Sequence, residues 1–220
     1  MVVQGHDTTI PVTLDEVIYH TRCVARGLKS VSGRAVLIAD LPFMSYATPE
    51  QALHSAARLM KEGGAQVVKL EGGAPQLETV AALSRQGIPV CAHLGLTPQS
   101  VHKLGGYRVQ GRDPHVAEAM LKDAVALEKA GADLLILECI PSVLAQEIAL
   151  ALTIPVIGIG AGPACDGQVL VSYDLLGFTV RPPKFARDYS ATHGAPDKAL
   201  KAFVDDVRSG DFPQPEHCFT

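Results

Sequence analysis

Four apolar runs in this 220-residue sequence end in an ionisable residue: Asp40, Glu71, His93 and Glu138. Lys69 stands two positions before Glu71. On an extended strand that spacing puts both side chains on one face. They form either a structural ion pair or a working set: a cation for a substrate carboxylate beside an oxygen ligand for a metal. Asp40 and Glu71 end successive runs. Two carboxylates with no His/Cys cluster favour a hard cation, Mg2+ before Zn2+. Mg2+ held by few carboxylates keeps positions open for a chelating substrate, and a 2-oxo acid, with adjacent carboxylate and ketone oxygens, is the natural chelator. Such a metal polarises the ketone and stabilises an enolate. Glu138 closes the run Asp133–Glu138. Its carboxyl is expected to be partly desolvated, with a pKa raised toward the acid–base range; the alternative is a pairing with a Lys or Arg. Taken singly, each end residue is as readily a solvated residue opening a loop. Four of them after wholly apolar runs favour a shared mouth.

The runs that would position these residues are Arg34–Asp40, Gln66–Glu71, Ile88–His93, Asp133–Glu138, Ile154–Ile159 and, less clearly, Gln168–Tyr173. Continuous apolar runs of this length suit strands buried on both faces. Helix starts lie between them. Thr13 to Glu16 reads as a capping box. Thr48-Pro49 places an N-cap before Pro at the first helical position, with Gln51 reaching back. Thr97-Pro98 repeats that start. A helix from His115 to Lys129 sets Val116, Met120, Val125 and Leu127 around an apolar stripe and stops at Ala130-Gly131. Further helices are expected from Pro141 to Leu152 and from Lys198 to Arg208, before a polar tail from Ser209 to Thr220. Alternating strands and helices imply parallel strands with right-handed crossovers. Either a doubly wound open sheet or a (β/α)8 barrel fits. About six units are present where a closed barrel needs eight. Ionisable strand ends converge better on a barrel mouth than on an open sheet edge.

Composition narrows the classes. The sequence is 47% apolar and 19% charged, which excludes a disordered or low-complexity chain. Net charge is −4 and the pI about 6.0, so nothing builds a positive field for nucleic acid. No apolar run reaches the roughly 18 residues of a membrane span. The first residues have neither the basic nor the apolar region of a signal peptide. Cys23, Cys91, Cys139, Cys165 and Cys218 are odd in number, with no CxxC pair, and are expected to be reduced thiols in a cytoplasmic protein. Residues 1–220 are expected to form one domain.

Other motifs carry less. Gly158-Ile-Gly-Ala-Gly162 follows a strand, but its spacing is GxGxG and not the dinucleotide GxGxxG. Close backbone packing is the better reading. The loop Gly105–Arg112 carries two cations and reads as a surface loop, with a lid as the alternative. His6, His20, His54, His102, His115, His193 and His217 have no metal-like spacing.

At these residues the sequence resembles the ketopantoate hydroxymethyltransferases. The matching stretches are VQGHDTTIPVT, LIADLPFMSYATPEQA, VKLEGG, VCAHLGLTPQSVHKLGGYRVQGR, LLILECIP, IPVIGIGAG, PPKFAR and PQPEHCF, from Val3 to Phe219. The resemblance implies an α/β protein, a (β/α)8 TIM barrel of the phosphoenolpyruvate/pyruvate type. It implies transfer of a hydroxymethyl group from 5,10-methylenetetrahydrofolate to 3-methyl-2-oxobutanoate through a Mg2+-stabilised enolate, giving 2-dehydropantoate for pantothenate biosynthesis. By motif, Asp40 would be a metal ligand and substrate contact, Glu71 a metal ligand, Lys69 and His93 substrate-binding groups, and Glu138 the proton acceptor. Partners would be the oxo acid, the folate and, if the barrel is complete, further copies in a homo-oligomer. Members of the family carry a further N-terminal segment with the first two barrel strands, ending in a Gly-Asp-Ser motif that contributes another metal ligand. The expectation is therefore an incomplete barrel here and a longer natural enzyme. The rival readings are an inactive truncated barrel serving only in binding or interaction, a chain completed by another, and another Mg2+-dependent oxo-acid lyase.

Overall fold

A computed structural model describes residues 1–30 and 35–220; Arg34, the first residue of the expected opening run, lies outside the described residues. Six strands form one parallel sheet: β1 (Ile38–Asp40), β2 (Val67–Glu71), β3 (Val90–Gly95), β4 (Leu134–Glu138), β5 (Val156–Ile159) and β6 (Gly167–Gln168). The helices are α1 (Leu14–Ser30), α2 (Pro49–Arg58), α3 (Leu77–Arg85), α4 (Val101–Leu104), α5 (Pro114–Ala130), α6 (Ser142–Ala151), α7 (Ser172–Leu175), α8 (Ser190–His193) and α9 (Pro196–Ser209). No helix among the described residues is long and apolar enough to cross a membrane.

The strand order is β1-β2-β3-β4-β5-β6, the order of the chain. A doubly wound sheet reverses its order at a switch point. This one never reverses, so successive crossovers stack on the same side and the sheet curls into half a barrel. The period of two decides which residues face where. Val68, Leu70, Ala92, Leu135 and Leu137 pack into the main core with Ala56, Val80, Leu83, Leu127 and Ile148 from the surrounding helices. Their alternates, Lys69, Glu71, Cys91, His93 and Glu138, take the opposite face of the same strands. Burying each Leu, Ile or Val contributes roughly 1.5–3 kcal/mol, so the helix-facing residues hold the sheet while the other face is free to carry chemistry.

The helix starts follow the local chemistry. Thr13 N–H donates to Glu16 Oε2 (2.7 Å) and Glu16 N–H to Thr13 Oγ1 (3.3 Å), closing the capping box. Thr48 Oγ1 accepts from Gln51 N–H (3.2 Å), and Asp113 Oδ1 from His115 N–H (2.9 Å) and Val116 N–H (3.2 Å). Gly131 ends α5 at φ 105°, a conformation in which a side chain would be strained.

Three expectations need correction. The sixth strand is only Gly167–Gln168, because the chain turns into α7 at Ser172 and leaves Val169 and Val171 exposed with no face to bury. The buried stripe of α5 is Met120, Ala124 and Leu127; Val116, in the first turn, is exposed. Thr97 caps nothing with its side chain, and Thr97-Pro98 opens a single 3-10 turn (Pro98–Ser100) before the short α4. All five cysteines are free thiols.

Candidate active site

Asp40, Glu71 and Glu138 end their strands at the carboxyl edge of the sheet, whereas His93, expected at a strand end, lies two residues inside β3 because the strand continues through Leu94 to Gly95. Asp40 ends β1 and pairs in register with Lys69 of β2; Glu71 ends β2 and pairs with His93 of β3; Glu138 ends β4 opposite Gly95 of β3. Lys69 Nζ is in contact with Asp40 Oδ1 and lies 3.9 Å from Glu71 Oε1. His93 Nδ1 is also 3.9 Å from Glu71 Oε1, and its Nε2 is 3.3 Å from Glu138 Oε2. Asp40, Lys69, Glu71, His93 and Glu138 thus form one chain of neighbours across four strands.

Burial grades their chemistry. Glu71 and His93 are buried, while the Asp40 side chain is 53% exposed. Burial pushes the Glu71 carboxyl up to about 7, against the pull of Lys69 and a hydrogen bond from Gln99. Burial likewise pushes Glu138 up to about 7, again with Lys69 opposing. Burial and the Lys69 charge hold His93 well below its usual range, so the ring is neutral. For Lys69 burial opposes the charge, but Asp40 and Glu71 outweigh it and raise the amine above its ordinary value. One fixed cation therefore faces carboxyl groups poised to exchange protons near neutrality.

The main chain fixes the Glu138 end. Leu96 N–H donates to the Glu138 carbonyl (2.8 Å) and Cys139 N–H to the Ile159 carbonyl (2.9 Å). Gly95 permits this approach: at φ 94° a Cβ would come 2.2 Å from the Glu138 carbonyl oxygen. Cys139 itself holds φ 49°, a rare conformation for a side-chain-bearing residue.

Sequence reasoning missed two buried residues, Gln99 and Tyr46. Gln99 N–H donates to Glu71 Oε2 (2.9 Å), and the Tyr46 hydroxyl donates to Gln99 Oε1 (2.7 Å). Burial and the Glu71 charge raise the Tyr46 phenol, so it remains a donor. Both lie inside stretches that resemble the family, but no spacing or residue type marks either one there.

Asp40 and Glu71 have the donor chemistry for a divalent cation. Among the described residues no three His, Cys, Asp or Glu side chains converge into a ready ligand set. Asp40 and Glu71 offer oxygen donors only, one of them a buried carboxyl whose charge Lys69 offsets incompletely. That fits a hard cation that keeps its waters, and does not fit a zinc cage.

The glycine-rich stretch after β5 is a packing device, as its spacing indicates. A Cβ at Gly158 would meet Cys165, at Gly160 Phe185, and at Gly162 Ser142, each within 3.0 Å. The loop Gly105–Arg112 is tied down at its far end by Gln110 N–H donating to the Cys139 carbonyl (2.9 Å). Tyr107 in that loop is half-exposed; partial burial, then the charges of Glu138 and Glu71, raise its phenol above the ordinary value.

Residues 1–215 match the family model for ketopantoate hydroxymethyltransferase. A Halorhodospira halophila (strain DSM 244 / SL1) protein named 3-methyl-2-oxobutanoate hydroxymethyltransferase is 63% identical over 219 residues, covering 100% of this chain and 78% of that protein. Proteins of the same name from Alkalilimnicola ehrlichii and Shewanella loihica are 60% and 57% identical, again over 100% of this chain and over 78% and 82% of theirs. Among solved structures, a proposed lyase/mutase from Burkholderia cenocepacia J2315 superposes with TM-score 0.50 at 19% identity, over 67% of this chain and 52% of that one. At that identity the likeness speaks for the fold alone.

Proposed function

The chain belongs to the ketopantoate hydroxymethyltransferase family, and from that premise we propose how its strand ends carry out the transfer. The reaction moves a hydroxymethyl group onto 3-methyl-2-oxobutanoate in pantothenate biosynthesis. In this reading 5,10-methylenetetrahydrofolate supplies the one-carbon unit. The curled sheet is read as part of a (β/α)8 barrel of the phosphoenolpyruvate/pyruvate type, with its mouth at the carboxyl ends of β1 to β4.

Glu138 is the base. Its carboxylate takes the C3 proton of the oxo acid, and a pKa near 7 makes it able both to accept and to return that proton. Lys69 remains charged and faces the substrate carboxylate. Neutral His93 donates a hydrogen bond to the substrate, for which its ring nitrogens stand without partners. Asp40 and Glu71 would hold Mg2+, which when bound polarises the ketone of the oxo acid. Water cleaves the bonds from the one-carbon unit to the folate nitrogens, releasing tetrahydrofolate and leaving that carbon as an aldehyde; the carbanionic C3 left by Glu138 bonds to it, and the alkoxide formed takes the proton back from Glu138.

The observation that carries this reading is the convergence of Asp40, Lys69, Glu71, His93 and Glu138 on one sheet edge. The test is exchange of the C3 proton of 3-methyl-2-oxobutanoate in D2O, followed by proton NMR with circular dichroism in the same buffer. Exchange that stops on adding EDTA is expected. A folded chain that gives no exchange with Mg2+ present overturns the reading.

A further inference from the structure

Three hydrogen bonds meet on Gln99. Its main-chain N–H donates to Glu71 Oε2 (2.9 Å), its Nε2 donates to the Leu41 carbonyl (2.9 Å), and its Oε1 accepts from the Tyr46 hydroxyl (2.7 Å). All three bonds are buried, and the partners lie 28, 58 and 53 residues away in the chain. Leu41 directly follows Asp40. Gln99 therefore grips the side chain of one carboxylate residue and the main chain beside the other. Tyr46 sets the direction of the amide: with its hydroxyl donating to Oε1, Nε2 faces Leu41. The Gln99 main-chain N–H stands in the first turn of a 3-10 segment, where no intrahelical carbonyl accepts from it. Glu71 supplies the acceptor.

We propose that Gln99, oriented by Tyr46, is a positioning residue for divalent-cation binding: it sets the separation and orientation of the Asp40 and Glu71 carboxylates. This rests on reading those two carboxylates as the cation's ligands. Lys69 contacts both of them as well, and it supplies charge. Gln99 supplies direction, because each of its bonds ends on Glu71, on the residue after Asp40, or on the tyrosine that holds its own amide. A bond network that served only to fasten the loop after β1 would have no need of the Glu71 carboxylate.

The test is calorimetric titration of the purified chain with Mn2+ as the stand-in for Mg2+. Wild type is compared with Tyr46→Phe, Gln99→Leu and Ile148→Val. Tyr46→Phe removes one hydroxyl and frees the amide to turn. The Mn2+ dissociation constant is expected to rise about tenfold, the equivalent of one buried hydrogen bond. Gln99→Leu removes two bonds and is expected to weaken binding at least as much; if it does not fold, Tyr46→Phe carries the test alone. Ile148→Val trims a buried core methyl of α6 and is expected to lower Tm while leaving the Mn2+ constant in place. An unchanged constant in Tyr46→Phe overturns the positioning role, as does an equal weakening in Ile148→Val. A wild-type chain that binds no Mn2+ overturns instead the ligand reading beneath it.

Discussion

His93 Nε2 lies 3.3 Å from Glu138 Oε2, yet neither ring nitrogen of His93 has a hydrogen-bond partner among the described residues. A fully buried imidazole left in that condition costs free energy. A substrate oxygen within reach of the ring would settle which nitrogen carries the proton and would turn the Glu138 carboxylate toward its target.

Glu138→Gln is expected to cut C3 proton exchange by about 10²- to 10⁴-fold, the usual contribution of a general base, while Mn2+ binding stays as it was. In the wild-type chain the exchange rate should climb with pH and level off above about 7, since only the ionised carboxyl accepts a proton. NMR exchange rates across pH 5 to 9 check both statements. Exchange that survives in the variant removes Glu138 as the base.

The same carboxyl links stability to pH. Its folded pKa of about 7 lies above the ordinary 4.5. A carboxyl raised on folding contributes stability that is fully present below 4.5 and is lost as pH rises through 7. Glu138→Gln cannot ionise, so it escapes that loss. The variant should gain on wild type between pH 4 and pH 8, by up to about 3 kcal/mol. Glu71 shifts in the same direction but is present in both chains and cancels in the difference. Urea midpoints at the two pH values measure the gap, and a gap of constant size would mean that Glu138 is not a desolvated acid.

Lys69→Gln shortens the side chain by one atom and removes its charge. The oxo acid should then bind roughly 10- to 100-fold more weakly, the range of one lost charge-assisted bond. Calorimetry with 3-methyl-2-oxobutanoate in the absence of folate reads this directly. Equal affinity would show that the amine serves only to neutralise Asp40 and Glu71.

Asp113→Ala should lower stability by about 1 kcal/mol without touching exchange, because Asp113 only accepts from two amides that open α5. Thermal melts and the NMR assay on one sample separate the two effects. A loss of exchange in a folded Asp113→Ala chain would tie α5 to the site.

The strand-end residues are legible in the sequence because their signal is local. A buried strand reads as a largely apolar run, and Asp40, Glu71, His93 and Glu138 each end one, although β3 itself continues past His93 to Gly95. Lys69 follows from the period of two. Gln99 and Tyr46 are illegible for the opposite reason: their roles arise from contacts 28 to 58 residues apart, in loops with no periodicity. The sixth strand is shorter than its apolar run suggests: Val169 and Val171 look like strand residues, and only the turn into α7 shows that they stay exposed. Gly95 gives no hint in AHLG of what it faces. That needs the β3–β4 register.

The grip of the main chain on Glu138, with Gly95 opposite it, has a consequence for how this sequence tolerates change. Glu138 is located by amides and carbonyls of Leu96, Cys139 and Ile159, which every amino acid except proline supplies in full. Apolar exchanges along β4 can therefore accumulate over generations without moving it. Gly95 is where that freedom stops, since any side chain there collides with the Glu138 carbonyl. Drift in the core and constancy of the chemistry are compatible here because they are assigned to different atoms.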